Sequence, residues 1–227
     1  ILVLTAFLFA NTETTNVPAC LNTISFVSGS TESAFRNLPD GTYTLEETDY
    51  PVIENVTYTK ATTIEFEISG GIATQTAASS AQDNGIEGDT LGNQTLYLID
   101  SPMGYIKIVK TLTGVNNLDD VAPIKFTVVN TADSSDKIDI PDLMSANCST
   151  DKWVVNGNTY TYVIPVPLAV GNKYKVTESA PSSNTVGNTV YTLTSSTDPI
   201  DVTVVGGTVA TATEAEFKNV YTTSNAT

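Results

Sequence analysis

The chain has 227 residues, 41% hydrophobic and 15% charged, enough apolar material for ordinary cores and a length that suits two domains of about a hundred residues each. A net charge of -15 disfavours nucleic acid and anionic membrane surfaces as partners, and with no histidine at all, histidine triads and histidine metal sites are excluded by inventory. The missing histidine also makes an enzyme not expected, and threonine, valine and tyrosine are abundant where lysine, leucine and arginine are sparse, so an all-β protein is expected.

The opening run 1–10 is apolar on both faces and lacks the basic leader of a cleavable signal peptide. No stretch is long enough to span a bilayer, so membrane insertion is not expected. Two readings stay open for residues 1–9: a central strand buried within its own domain, or a donor strand buried in a neighbouring subunit. Cys20 and Cys148 fall in different domains. They pair across domains or subunits in an oxidising compartment, or remain two free thiols.

The first domain is placed at 1–101. Its clearest segment runs from Phe35 to Pro51, where a Pro39-Asp40-Gly41 turn enters a strand with Tyr43, Leu45 and Glu47 on the inward parity. Further strands are expected at 62–68, with Ile64, Phe66 and Ile68 inward, and at 95–100, where Asp100 shares the parity of Leu96 and Leu98. Between them, 77–93 reads as a solvated polar loop rather than a calcium loop.

The order Leu38, Pro39, Gly41, Tyr43, then Glu47, Thr48 and Pro51 resembles the collagen-adhesin B-type (prealbumin-like) repeat of Gram-positive surface proteins. That resemblance implies a sandwich fold. It also puts Asp100 where the family's bond-accepting residue stands, with Glu47 as the matching acid. The family's lysine is missing from the opening strand. Three explanations stay open: the bond never forms here, the first strand precedes this sequence, or a neighbouring subunit supplies it.

Ser101–Gly104 reads as a short linker that would keep the domains stiffly stacked, and 104–227 as the second domain. In the strand 104–114, Ile106, Ile108 and Lys110 share one parity, so the face that buries two isoleucines also receives an amine. Such an ammonium must be paired, neutralised or consumed. Ile124, Phe126 and Val128 point inward on the next strand. The aspartates Asp133, Asp136, Asp139 and Asp142 recur without a ligand geometry, so no metal and no cofactor are expected. Trp153 reads as core or edge packing. In 174–178, Glu178 shares the parity of Tyr174 and Val176. Strands at 191–193 and 202–204 precede 216–221, where Asn219 shares the parity of Phe217 and Tyr221. About seven strands are expected.

Lys110, Glu178 and Asn219, each an inward polar residue on its own strand, resemble the isopeptide-forming domains of Gram-positive pilins and surface proteins. The run 158–178 is similar to the streptococcal-pilin type. The resemblance implies two tandem Ig-like (prealbumin-like) sandwiches, with Lys110 as nucleophile, Asn219 as electrophile and Glu178 as proton shuttle. The residues themselves also allow a buried Lys-Glu ion pair with an asparagine nearby. Four glycosylation sequons occur, at Asn55, Asn93, Asn147 and Asn225, about the number that chance gives in such a composition. The expected function is a structural subunit of an extracellular, cell-surface filament or stalk, with neighbouring copies as partners and strand complementation as one way to assemble. The alternative is a surface adhesin for a glycan or protein ligand. A hydrolase is disfavoured because no acid pair stands in a recognisable frame. No sortase signal or pilin lysine motif is visible, so sortase linkage is not implied.

Overall fold

The computed structural model describes residues 2–9, 33–36, 38–46, 50, 52–59, 64–76, 85–88, 94–148, 150 and 152–226, with backbone alone for 2–9, 33–36 and 97–99. Almost all regular structure among these is strand. The helices are one short turn at Ser145–Cys148 and 3-10 turns at Leu118–Asp120 and Val209–Thr211. The chain divides into two compact units, the first made of 1–53 and 58–101 and the second of 54–57 and 102–227.

Among the described residues nine strands precede residue 101: β1 (Leu2–Phe9), β2 (Ser33–Arg36), β3 (Gly41–Leu45), β4 (Val52–Ile53), β5 (Val56–Tyr58), β6 (Ile64–Ser69), β7 (Ile72–Gln75), β8 (Gly85–Glu87) and β9 (Gln94–Asp100). In the first unit, one sheet has the order β2-β1-β9-β8 and another the order β3-β6-β7. Residues Ile64, Phe66 and Ile68 alternate with exposed neighbours, as their parity requires, and form a core with Ala73 and Leu96. Tyr43 stands opposite Phe66 in the register and stacks on it at 5.5 Å. The β6–β7 hairpin turns on Gly70 and Gly71, whose φ of 59° and 79° a Cβ would oppose.

The apolar strand β1 pairs within its own chain, antiparallel to β9 from Leu2↔Asp100 to Leu8↔Gln94 and parallel to β2. Within a single chain, residues 2–9 therefore take the place of a central strand of the sheet.

The second unit contains β10 (Pro102–Gly104), β11 (Ile106–Thr113), β12 (Lys125–Asn130), β13 (Lys137–Asp139), β14 (Val154–Asn156) and β15 (Thr159–Val163). It continues with β16 (Leu168–Ala169), β17 (Lys173–Ser179), β18 (Ser183–Val186), β19 (Thr189–Ser195), β20 (Ile200–Thr203) and β21 (Thr213–Asn225). A six-stranded sheet, β14-β15-β11-β21-β19-β18, and a four-stranded one, β13-β12-β17-β20, share one core. Phe126 of the smaller sheet meets Phe217 of the larger edge-on at 5.3 Å and Trp153 at 5.5 Å. Trp153 is a core residue, 1% exposed, and its indole N–H donates to Pro141 O at 2.9 Å.

Two expectations are corrected here. There are more than seven strands, because β13, β14 and β18 are short and largely exposed and so carry no burial alternation to be read. Residues 102–104, taken as linker, form β10, which pairs with β16 through Met103↔Ala169 and Gly104↔Leu168. Proline is tolerated as the first residue of a strand. Gly104 is required because a Cβ there would lie 1.9 Å from Val205 O.

Candidate functional site

In β11 burial alternates strictly, with Ile106, Ile108, Lys110 and Leu112 buried and Lys107, Val109 and Thr111 partly exposed. Lys107 uses the outer face for an ion pair with Glu214, its register partner, at 2.6 Å. Such a pair, held in solvent, contributes at most about 1 kcal/mol. Lys110 is different, fully buried between Ile108 and Leu112.

Strand β21 runs parallel to β11 as its direct neighbour, with Lys110↔Phe217 and Leu112↔Asn219 in register. The alternation of β21 buries Ala215, Phe217, Asn219 and Tyr221 and exposes Glu214, Glu216 and Lys218. Asn219, fully buried, thus lies in the same sheet as Lys110 and on the same face. Glu178 arrives from the opposite sheet, on β17, where it stands across from Phe126.

The three side chains meet. Lys110 Nζ donates to Glu178 Oε2 at 2.5 Å, and Asn219 Nδ2 donates to Glu178 Oε1 at 2.5 Å. One carboxylate, its side chain 4% exposed, therefore bridges the two nitrogens between which a proton would have to pass in amide exchange. Burial pulls the Lys110 ammonium down to about 8, with the Glu178 hydrogen bond and charge opposing the shift. A usable fraction of neutral amine is thereby present near neutral pH, which is what a lysine nucleophile needs. Two further atoms in this corner, Asn219 Oδ1 and the Tyr221 hydroxyl, are buried without a hydrogen-bond partner. Sequence parity had aligned Tyr221 with the site, yet nothing in the sequence marked its hydroxyl as unsatisfied.

In the first unit Asp100 is fully buried and accepts from Thr59 Oγ1 at 3.3 Å, and Thr59 Oγ1 accepts in turn from the Ser101 amide at 2.9 Å. Its expected partner Glu47 lies outside the described residues, as do Cys20 and Asn93. Cys148 is half-buried at the end of the short helix, and burial, with Asp119 nearby, pushes its thiol up. Of the remaining sequon asparagines, Asn55 and Asn225 are exposed, while Asn147 is half-buried with Nδ2 donating to Asp142 O at 2.6 Å.

Among the described residues, no group of three or more His, Cys, Asp or Glu is arranged to hold a metal ion. Asp133 instead caps a turn through Ser135, and Asp136 accepts from Asn130 and from the Tyr174 hydroxyl. Also among the described residues, no helix is long and apolar enough to cross a membrane.

One structural residue escaped the sequence reading. Gln94 is 2% exposed; its Oε1 accepts from the Ala73 amide at 2.6 Å, and its Nε2 donates to Ala73 O at 2.8 Å and Gly88 O at 3.3 Å. A single amide side chain thus fastens β9 to β7 in the other sheet. Its parity with Leu96 was the available signal.

No family model and no curated protein matches the chain.

Proposed function

We propose that the second unit closes an amide bond between Lys110 and Asn219, and that the protein is a structural subunit of an extracellular filament or cell-surface stalk. In this reading both units are Ig-like, prealbumin-like sandwiches. The chemistry is self-directed rather than enzymatic, and the partners are neighbouring copies. The observation that carries the reading is the Glu178 carboxylate, buried between the Lys110 amine and the Asn219 carboxamide.

The neutral Lys110 amine attacks Asn219 Cγ and forms a new C–N bond. Glu178 Oε2 accepts the proton released from Nζ, and Nδ2, already at Oε1, receives it. The Cγ–Nδ2 bond then breaks and ammonia leaves. Amine and carboxamide become a secondary amide plus ammonia, with no oxidant and no cofactor. Desolvation favours the attack, because the neutral amine is the form that burial stabilises. Strand β1 pairs with β9 within one chain, and exchange of a strand between copies is one route by which such a filament would assemble.

The adhesin reading draws less support. The described large apolar side chains that are exposed comprise one tyrosine, Tyr50, with ten aliphatics, which is not the aromatic platform that sugars stack on.

Intact mass of the reduced, deglycosylated chain tests the proposal, with Lys110→Ala as the reference. The parent is expected to be lighter than its sequence by one ammonia and the variant to match its own. A parent at full mass means that Lys110, Glu178 and Asn219 form only a buried ion-pair network, and it removes the main support for a mechanical role.

A further inference from the structure

The Glu178 carboxylate has both oxygens engaged by nitrogens, so it does not serve the third reacting atom, the Asn219 carbonyl oxygen. When an amine adds to a carboxamide, the carbonyl π pair moves onto that oxygen, and a negative charge in a dry core needs a donor. Asn219 Oδ1 is buried with no hydrogen-bond partner, and the Tyr221 hydroxyl is buried in the same condition. The two residues are 0% and 4% exposed and share one face of β21, two positions apart. One atom is an acceptor without a donor and the other carries a donor hydrogen without an acceptor.

Two other buried tyrosines of this unit have partners for their hydroxyls. Tyr174 donates to Asp136 at 3.1 Å and Tyr191 to Asp120 at 2.8 Å. Burial raises the Tyr221 phenol and the Glu178 charge raises it further, while the Asn219 amide acts the other way, so the hydroxyl keeps its proton in the neutral range. It lies near enough to feel both groups, and in the folded chain neither it nor Asn219 Oδ1 has a hydrogen-bond partner. A donor that makes no ground-state hydrogen bond gains most when the carbonyl carbon becomes tetrahedral, which is the differential binding that accelerates a reaction.

We infer that Tyr221 is a catalytic residue of the amide-forming site, its hydroxyl donating to Asn219 Oδ1 as that oxygen takes up charge. The inference rests on the Lys110–Asn219 amide proposed above. As Nζ adds to Cγ, the electron pair on Oδ1 is held by the Tyr221 O–H. As ammonia departs, the pair returns to the carbonyl and the hydroxyl retains its proton.

The test follows the full chain made by cell-free synthesis, with timed aliquots quenched in denaturant and the ammonia-depleted fraction read by intact mass. Work at pH 6, where Lys110 is mostly ammonium, slows the reaction enough to time it. Tyr221→Phe removes the hydroxyl and keeps the ring, and Tyr174→Phe removes a buried hydroxyl away from the site. Parent and Tyr174→Phe are expected to react at the same rate, and Tyr221→Phe about 100-fold more slowly to the same product. The rate should rise towards pH 8 in all three chains, which shows that Lys110 still sits in a folded site. Equal rates for Tyr221→Phe and parent overturn the assignment. A slow Tyr221→Phe whose pH profile is displaced also overturns it, because the ring then shapes the site rather than the hydroxyl donating. A parent that keeps its full mass overturns the amide proposal itself, and this assignment with it.

Discussion

Asn219→Ala separates the covalent contribution from the packing around it. The substitution removes the electrophile and keeps both members of the Lys110–Glu178 pair, which Asn219 meets through its hydrogen bond to Glu178 Oε1. Lys110 and Asn219 enclose a loop of about 110 residues, and joining the ends of such a loop stabilises the folded state by about 5 kcal/mol through the unfolded chain's lost entropy. With a urea dependence of about 2 kcal/mol per molar, the unfolding midpoint of the second unit should fall by roughly 2.5 M. Urea titration followed by the fluorescence of Trp153, a core residue of this unit and the chain's one tryptophan, reports the midpoint directly. A variant that unfolds within a few tenths of a molar of the parent, with both chains at their sequence masses, refutes the reasoning.

The unreacted site should also show its buried charge in the pH dependence of stability. In Asn219→Ala the Lys110 ammonium has its folded value near 8, below the ordinary 10.5. Below pH 8 both states hold the proton and the folded state bears the full burial penalty. Between pH 8 and 10.5 the unfolded state holds more protons, so stability rises with pH, by about 2 kcal/mol at pH 9.5. Urea midpoints at pH 7.5 and 9.5 measure this, and the cross-linked parent, whose amide does not titrate, should lack the rise. Glu178→Gln removes the proton acceptor and the counter-charge together, so its intact mass should equal its sequence. It should unfold about 3 kcal/mol more easily than Asn219→Ala, because an ammonium is left buried without its carboxylate. Gly114 has φ +80° and a Cβ there would lie 2.0 Å from Tyr221 O, so Gly114→Ala should cost 2 kcal/mol or about that, read as a lower urea midpoint.

The site was legible because strand parity is a local property. Once 106–112, 174–178 and 216–221 were read as strands, the side to which Lys110, Glu178 and Asn219 point followed from counting; the burial of β11 and β21 follows that count, as does that of β17 up to Val176, and the Glu178 side chain is 4% exposed. Which sheet each strand joins is not local. The parallel pairing of β11 with β21 and the arrival of Glu178 from the opposite sheet depend on long-range register. Parity also predicted the burial of Asp100, but not the hydroxyl of Thr59 that meets it, since Thr59 lies just beyond the end of β5. Short edge strands such as β14, exposed at every position, leave no pattern to find. Gln94 was passed over for a different reason: a polar residue at an inward position reads as a strand end until its hydrogen-bond partners are seen.

The pairing of β11 with β21 fixes how tension would act on the second unit. The two strands are adjacent and parallel over Ile106↔Thr213 to Thr113↔Val220, so a pull on the chain before β11 and after β21 slides one along the other. All the interstrand hydrogen bonds of that register then resist together, in shear. With the Lys110–Asn219 amide formed, tension passes from one strand to the other at that point, and residues 111–218 lie outside its path. Only the flanks 104–109 and 220–226 remain free to extend, about a dozen residues or on the order of 45 Å. Lys110→Ala restores the whole unit to the path, with an extension on the order of 400 Å once it unfolds. Single-molecule stretching of both chains distinguishes the two lengths easily. A parent that yields the long extension is held by hydrogen bonds and packing alone, and the case for a tension-bearing stalk then falls.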